Sequence, residues 1–233
     1  MTTRTKQHKF GISTMSFLLF VAAPISVLAQ GPLESINKDV FALNDYFDAL
    51  LVKPVSMSYT TIVPNVAQRA VGNFFSNIDD VNVMANELLQ LKLSAAASDC
   101  GRLLLNSIVG VGGLFDVASG FGLNKHNEDF GQTLGRWGVG SGAYVVLPVF
   151  GSSSVRDSFG LIVDTLFNPL HYIDDSSMRL SLYSMRQVDS RSSITAFDDS
   201  INGDRYVFYR EAYSQRRDYL VRDGAVENMF EDF

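Results

Sequence analysis

Gly138, Gly140 and Gly142, in Gly138-Val-Gly-Ser-Gly-Ala143, carry the chain's most conspicuous chemical spacing. Glycines so placed let a backbone approach a pyrophosphate, and Asp157, about 20 residues further on, stands where a ribose-binding acid would. That chemistry needs a strand before the glycines and a helix after them. Gly131, Gly135 and Trp137 precede instead, and Tyr144-Val-Val-Leu-Pro148 follows, so the match to a dinucleotide site is formal only.

His126-Asn-Glu-Asp129 places nitrogen and oxygen ligands close together. Adjacent positions rarely face one metal, however, and the other histidine after the leader, His171, is far away in sequence, so no metal site is expected. Capping and salt bridging, with Asp129 meeting Arg136, is the expectation there. A lipid-modifying hydrolase or acyltransferase would need His126 or His171 beside a nucleophile. The chain has no Gly-x-Ser-x-Gly elbow, Walker loop, Cys-x-x-Cys or His-Glu-x-x-His, and no cofactor is expected. Arg156 adjoins the glycine-rich segment, and a guanidinium fork there suits a phosphate. Ranked below it is the C-terminal set Arg210, Glu211, Arg216, Arg217, Asp218 and Arg222. Cys100 shares an apolar stripe with Ala96, Leu103 and Leu104 and reads as a small buried hydrophobe.

Short amphipathic helices must position these groups. Leu33, Ile36, Val40, Leu43, Phe47 and Leu50 recur at helical spacing, which predicts a helix over Leu33 to Val52, ending before Pro54. Asn37, Asn44 and Asp45 lie on the same helix and either face solvent or pack. The stripes Val66, Ala70, Phe74, Ile78 and Val81, Met84, Leu88 predict more helix, as does the run from Leu103 to Ile108. A helical turn is expected over Leu114 to Ser119, with Asp116 hydrogen-bonded inside. Tyr144 to Phe150, broken by Pro148, should be extended without forming a central strand. Ser154 is placed to cap a helix with Val155, Phe159, Ile162, Val163 and Leu166 inward, closing before Pro169. Further helices are expected over Ser176 to Arg191 and Asp204 to Asp223, the second stopped by Gly224. The fold class is therefore all-α, one domain, with a glycine-rich hairpin-like loop.

Residues 1–29 combine Arg4, Lys6 and Lys9, an apolar run from Met15 to Leu28 and the small-residue end Val27-Leu28-Ala29, which reads as a signal peptide. Without those three cations the formal charge falls from −6 to −9, which argues against nucleic acid as a partner. Residues 30–224 form the helical domain and 225–233 an acidic tail. No apolar run after Ala29 reaches about 18 residues, and no alternating ten-residue segments build a barrel. Periodicity cannot say whether the apolar faces wrap a core or lie in a membrane interface, because the same face serves both.

The stretch from Asn127 to Asp157, together with Gly110-Val-Gly-Gly-Leu-Phe-Asp-Val-Ala-Ser119, Asn37-Lys-Asp-Val-Phe-Ala-Leu-Asn-Asp45 and Arg210-Glu-Ala-Tyr-Ser-Gln-Arg-Arg-Asp-Tyr-Leu220, resembles the MlaA/VacJ family of bacterial outer-membrane lipoproteins. The resemblance covers nearly the whole chain after the leader. It implies a helical ring with a central amphipathic channel, held in the inner leaflet of the outer membrane and facing the periplasm. It implies removal of phospholipid from the outer leaflet, with a trimeric porin and a soluble periplasmic lipid carrier as partners. Gly138, Gly140, Gly142, Tyr144, Val146 and Pro148 would line and gate the channel; alternatively, the glycines only permit positive φ angles in a tight loop. Arg156 would meet lipid phosphate, and Asn37, Phe41, Asn44 and Asp45 would pack against the channel region and affect its closure. Gln30 stands where relatives carry the lipidated cysteine of the lipobox, so no lipid anchor is expected. A purely structural envelope protein remains the weaker alternative.

Overall fold

A computed structural model of the chain describes residues 32–198, 201 and 203–225. The expected leader, Gln30 and residues 226–233 lie outside the described residues. Helix α1 (Pro32–Phe47) continues through a π-helical turn, Asp48–Val52, into α2 (Lys53–Ile62). The helix thus does not stop before Pro54. The Lys53 N–H reaches back to the Asp48 carbonyl, and this wider step shifts the ladder where Pro54 has no N–H to give. Arg191 grips Asp48 at 2.8 and 2.9 Å, tying the same turn to the far end of the chain.

Helix α3 (Asn65–Leu89) merges two expected stripes into one element and packs along α4 (Leu93–Ile108). The helical turn expected at Leu114 to Ser119 appears instead as a 3-10 turn over Ala118–Phe121. Helix α5 (Phe130–Arg136) follows, then the hairpin β1 (Tyr144–Leu147) and β2 (Gly151–Ser154), antiparallel from Tyr144 opposite Ser154 to Leu147 opposite Gly151. The fold is mostly helical, and the hairpin is the one sheet among the described residues. Helix α6 (Val155–Phe167) starts on the Ser154 cap, whose hydroxyl accepts from the Asp157 N–H at 3.1 Å. Helix α7 (Ser176–Asp198) outruns its expected end at Arg191, and α8 (Arg205–Val221) is capped by Asp204, with Gly224 in the left-handed region at φ 80°.

Burial is inverted relative to a water-soluble bundle. Gln132, Glu87, Asn86, Thr133, Asp80 and Asp99 are among the largest fully buried side chains, and buried polar residues outnumber buried apolar ones fifteen to seven among the described residues. The apolar stripe of α1 faces outward through Ile36, Leu43, Phe47 and Leu50, while Asn37 and Phe41 face in. Helix α6 does the same: Val155, Phe159, Ile162 and Leu166 are exposed, whereas Arg156 and Gly160 are buried. The expectation that the α6 stripe points inward is therefore reversed. Soluble domains do bury charge rarely and expose large apolar patches seldom, so both halves of this pattern point to a nonaqueous exterior. No described helix is long and apolar enough to cross a membrane.

Helices α5 and α6 touch backbone to backbone. A Cβ on Gly160 would lie 2.5 Å from the Gly131 nitrogen and 2.9 Å from its Cα. Gly160→Val should therefore destabilise the protein by about 1–3 kcal/mol or more, as overpacking does. Thermal unfolding in detergent checks this, with Gly120→Ala, where no atom lies within 4 Å, as the tolerated comparison.

Candidate functional site

The hairpin is held from outside by two asparagines seven residues apart on α1. Asn37 donates through Nδ2 to the Tyr144 carbonyl at 2.9 Å and accepts from the Val146 N–H at 2.8 Å. Asn44 repeats the pattern, donating to the Leu147 carbonyl and accepting from the Val149 N–H, both at 2.9 Å. Each primary amide thus imitates a neighbouring strand and satisfies backbone groups on the β1 edge that β2 does not reach. Phe41, between them, meets Tyr206 edge to face and Tyr209 at a tilt, with centroids 5.7 and 5.8 Å apart, and Asp45 pairs with Arg205. The hairpin tip holds Pro148 and Val149; Val149 sits at φ 71°, a strained conformation for a β-branched residue.

The base of the hairpin rests on a charged knot. Asp129 caps α5, accepting from the Gln132 N–H at 2.9 Å, and receives the fork of Arg217 from α8. The same guanidinium reaches Asp157 Oδ1 at 3.0 Å. Asp157 also accepts from Tyr213 and from Arg156 Nε. Burial pushes both carboxyls up, but Arg217 on Asp129, and Arg156, Tyr213 and Arg217 on Asp157, outweigh it and hold them below the usual carboxylate range. The expected Asp129–Arg136 pair is absent, since Arg136 turns to Asp223 at 2.8 Å.

Two cavities meet at this knot, and a third adjoins both. One of about 230 Å³ lies between Leu147, Phe150, Ser152, Leu161 and Tyr213. A second, of about 450 Å³, shares Asp129, Ser152, Tyr213 and Arg217 with the first and adds Val83, Arg186, Arg216 and Leu220. A third, of about 340 Å³, shares Asp79, Asn82 and Arg186 with the second and Phe150, Leu161 and Asp164 with the first. Their walls alternate charge with leucine, valine and phenylalanine, which suits an amphiphile better than a purely polar or apolar ligand.

The expected site residues divide. Tyr144 and Val146 belong to β1, and Gly138 and Gly142 have φ angles of 87° and 70°. Gly140 does not have a positive φ and has open space around it. Arg156 is 9 % exposed, with Nε on Asp157 at 2.8 Å and NH1 near the Val139 carbonyl. It braces the glycine loop from inside. Arg216 is exposed, lines the second cavity and makes no ion pair with a described residue. Cys100 is half-buried rather than buried. Asp116 is exposed but bonded to Arg102, Asn106 and Ser119. His126 faces Asp99 at 2.8 Å and Glu87 at 3.5 Å, not its sequence neighbours. Among the described residues neither histidine bonds a hydroxyl or thiol; His171 meets Tyr172 edge to face. Tyr213 and Asp164 were not singled out by spacing, and Arg217 was named only within the C-terminal set, because the partners of all three lie on other elements.

Asp164 gives this site a pH signature. Burial, then the charge of Asp129, raises it to about 6, although Phe130 N–H and Asn86 donate to it at 2.9 and 3.1 Å. A carboxyl whose folded value lies above the unfolded 3.8 opposes folding when ionised, so stability improves as pH falls from above 6 toward 4. Asp164→Asn keeps an acceptor for both donors and should stabilise the protein by about 1–3 kcal/mol at pH 7.5. The gain should vanish below about pH 4, which denaturation midpoints across pH would reveal.

A family model described as MlaA lipoprotein matches residues 29–220. The chain belongs to the MlaA lipoprotein family. It is 31 % identical over 202 residues to the intermembrane phospholipid transport system lipoprotein MlaA of Escherichia coli strain K12, covering 84 % of this chain and 80 % of that one. An uncharacterized protein of Rickettsia felis is 33 % identical over 195 residues, covering 82 % and 78 %. A solved chain from work on the structural basis for maintenance of bacterial outer membrane lipid asymmetry superposes with a TM-score of 0.72 at 33 % identity. That likeness covers 82 % of this chain and 98 % of the other.

Proposed function

We propose that this MlaA-family chain sits in the inner leaflet of the bacterial outer membrane and removes phospholipid that has strayed into the outer leaflet. The lipid passes through the connected cavities, which together form the channel of a helical ring, to a soluble periplasmic carrier. The observation that carries this reading is the inverted burial: leucine, isoleucine and phenylalanine outside, Asp80, Asn86, Gln132 and Thr133 inside. Such a body is solvated by acyl chains on its exterior and offers a polar path for headgroups through its middle. Exposing a two-chain lipid of roughly thirty methylenes to water would cost on the order of 24 kcal/mol. A continuous amphipathic path to an acceptor avoids that cost.

Arg216 and Arg186 supply guanidinium groups on the wall of the widest of the three cavities, where a phosphate would pass. The hairpin forms the movable wall, and the Asn37 and Asn44 clamp sets how far it opens. A trimeric porin gives the ring its partner within the outer membrane. Chemistry on the lipid is not required of it, and the surroundings of His126 and His171 favour transport over a hydrolase or acyltransferase. Surface-exposed phospholipid in a clean deletion strain tests the proposal. A rise in the deletion that the intact gene reverses is expected. An unchanged outer leaflet beside a fragile envelope would favour the structural alternative.

A further inference from the structure

We propose that Glu87, Asp99 and His126 form a binding site for a zinc-class divalent cation, separate from the phospholipid path. One ligand atom from each lies within 4.8 Å of the others. His126 Nδ1 stands 2.8 Å from Asp99 Oδ2 and 3.5 Å from Glu87 Oε1. A tetrahedral site with bonds of about 2.0–2.2 Å separates neighbouring ligand atoms by about 3.3–3.6 Å. The histidine–glutamate spacing already matches, and the histidine–aspartate pair needs to open by roughly half an ångström.

The carboxylates are deep and unsatisfied. Glu87 is 1 % exposed, and no hydrogen-bond donor meets either of its side-chain oxygens or Oδ1 of Asp99. The nearby cations are engaged elsewhere: Lys125 bonds Asp80 and the Ser76 carbonyl, and Lys92 bonds Glu128 and Asp223. Arg102 comes no closer than 3.9 Å to Asp99, because its terminal nitrogens hold Ser119, Leu123 and Asp116. Two buried carboxylates facing each other with one imidazole make a set that a dication neutralises. An imidazole donor favours zinc or its neighbours over calcium or magnesium, which take oxygen ligands. A cavity of about 630 Å³, bounded by Glu87, Lys125, His126 and Glu128, opens onto the site and admits both the ion and a water as fourth ligand.

The three ligands come from α3, α4 and the segment that leads into α5. A bound ion would pin Asn127, Glu128 and Asp129, which line the second cavity, to the α3–α4 pair. The role is a structural brace.

The test uses the full chain in detergent, stripped with a chelator and desalted, then titrated with Zn²⁺ and Co²⁺. One Zn²⁺ retained per chain, a higher Tm and the visible absorption of four-coordinate cobalt are expected. His126 is the most exposed ligand, so His126→Ala should stay folded by circular dichroism while losing Zn²⁺ affinity by more than about ten-fold. Glu87→Gln should lose it similarly. No stoichiometric Zn²⁺ in the wild-type chain, equal binding by His126→Ala, or equal competition by Ca²⁺ or Mg²⁺ would overturn the assignment.

Discussion

Arg217→Met should destabilise the protein by about 3–5 kcal/mol at neutral pH, the scale seen when one partner of a buried ion pair is removed. Arg217 is the shared cation of Asp129 and Asp157, which cap and open the α5 and α6 segments. Methionine fills much of the volume but leaves the nearly buried Asp157 carboxylate and half-buried Asp129 facing each other without their shared cation. The pH dependence separates this cause from lost packing. Both carboxyls lie below their unfolded values, so their contribution is present above the ordinary carboxylate range and fades as pH falls through the lower folded values. The gap between wild type and Arg217→Met should therefore narrow in acid. A gap of constant size from pH 8 to pH 3, read from chemical denaturation, would assign the loss to packing instead.

Replacing Asn37 and Asn44 together with leucine should release the hairpin without unfolding the helices. Four backbone groups, the carbonyls of Tyr144 and Leu147 and the N–H groups of Val146 and Val149, would lose their partners. The buried Val146 N–H costs about 1–3 kcal/mol when orphaned, the half-buried carbonyls less and the exposed Val149 N–H little, so a local penalty of a few kcal/mol is expected. Val149, held at φ 71°, would relax once Asn44 no longer receives its N–H. Amide exchange at Val146 and Val149 should accelerate by about 100-fold or more, while α3 and α4 keep their protection. Uniform acceleration across the chain would mean that the asparagines support global stability and do not act as a clamp.

Sequence spacing marked the stripes and caps of this fold but not their direction. Ile36, Leu43 and Leu50 share a face because of helical periodicity, and that face would be the same whether it met a core or acyl chains. What turns it outward is the polar set on and beside α3, α4 and α5, whose members find one another only in space: buried Asn86 with Thr133, half-buried Gln90 with Glu128, buried Arg102 with Asp116. Ser154 as a cap was legible because its partner is three residues away. The pairing of Arg217 with Asp157 was not, since Asp157 lies sixty residues earlier. The His126 cluster was hidden for the same reason: the residues beside it in sequence point elsewhere, and its partners come from α3 and α4. The resemblance to the MlaA family supplied the membrane setting that periodicity could not, and the inverted burial now gives that setting a physical cause.

Photocrosslinking from inside the cavities tests the central claim most directly. A photoreactive side chain at position 152, where Ser152 borders two of the cavities, would be irradiated in cells whose phospholipid carries radioactive phosphate, beside controls at the outward positions Phe159 and Ile162. Lipid label at position 152 as well as at the outer positions is the predicted result. Label at Phe159 and Ile162 but never at 152 would contradict it, leaving a protein that merely rests in lipid and carries none through its interior.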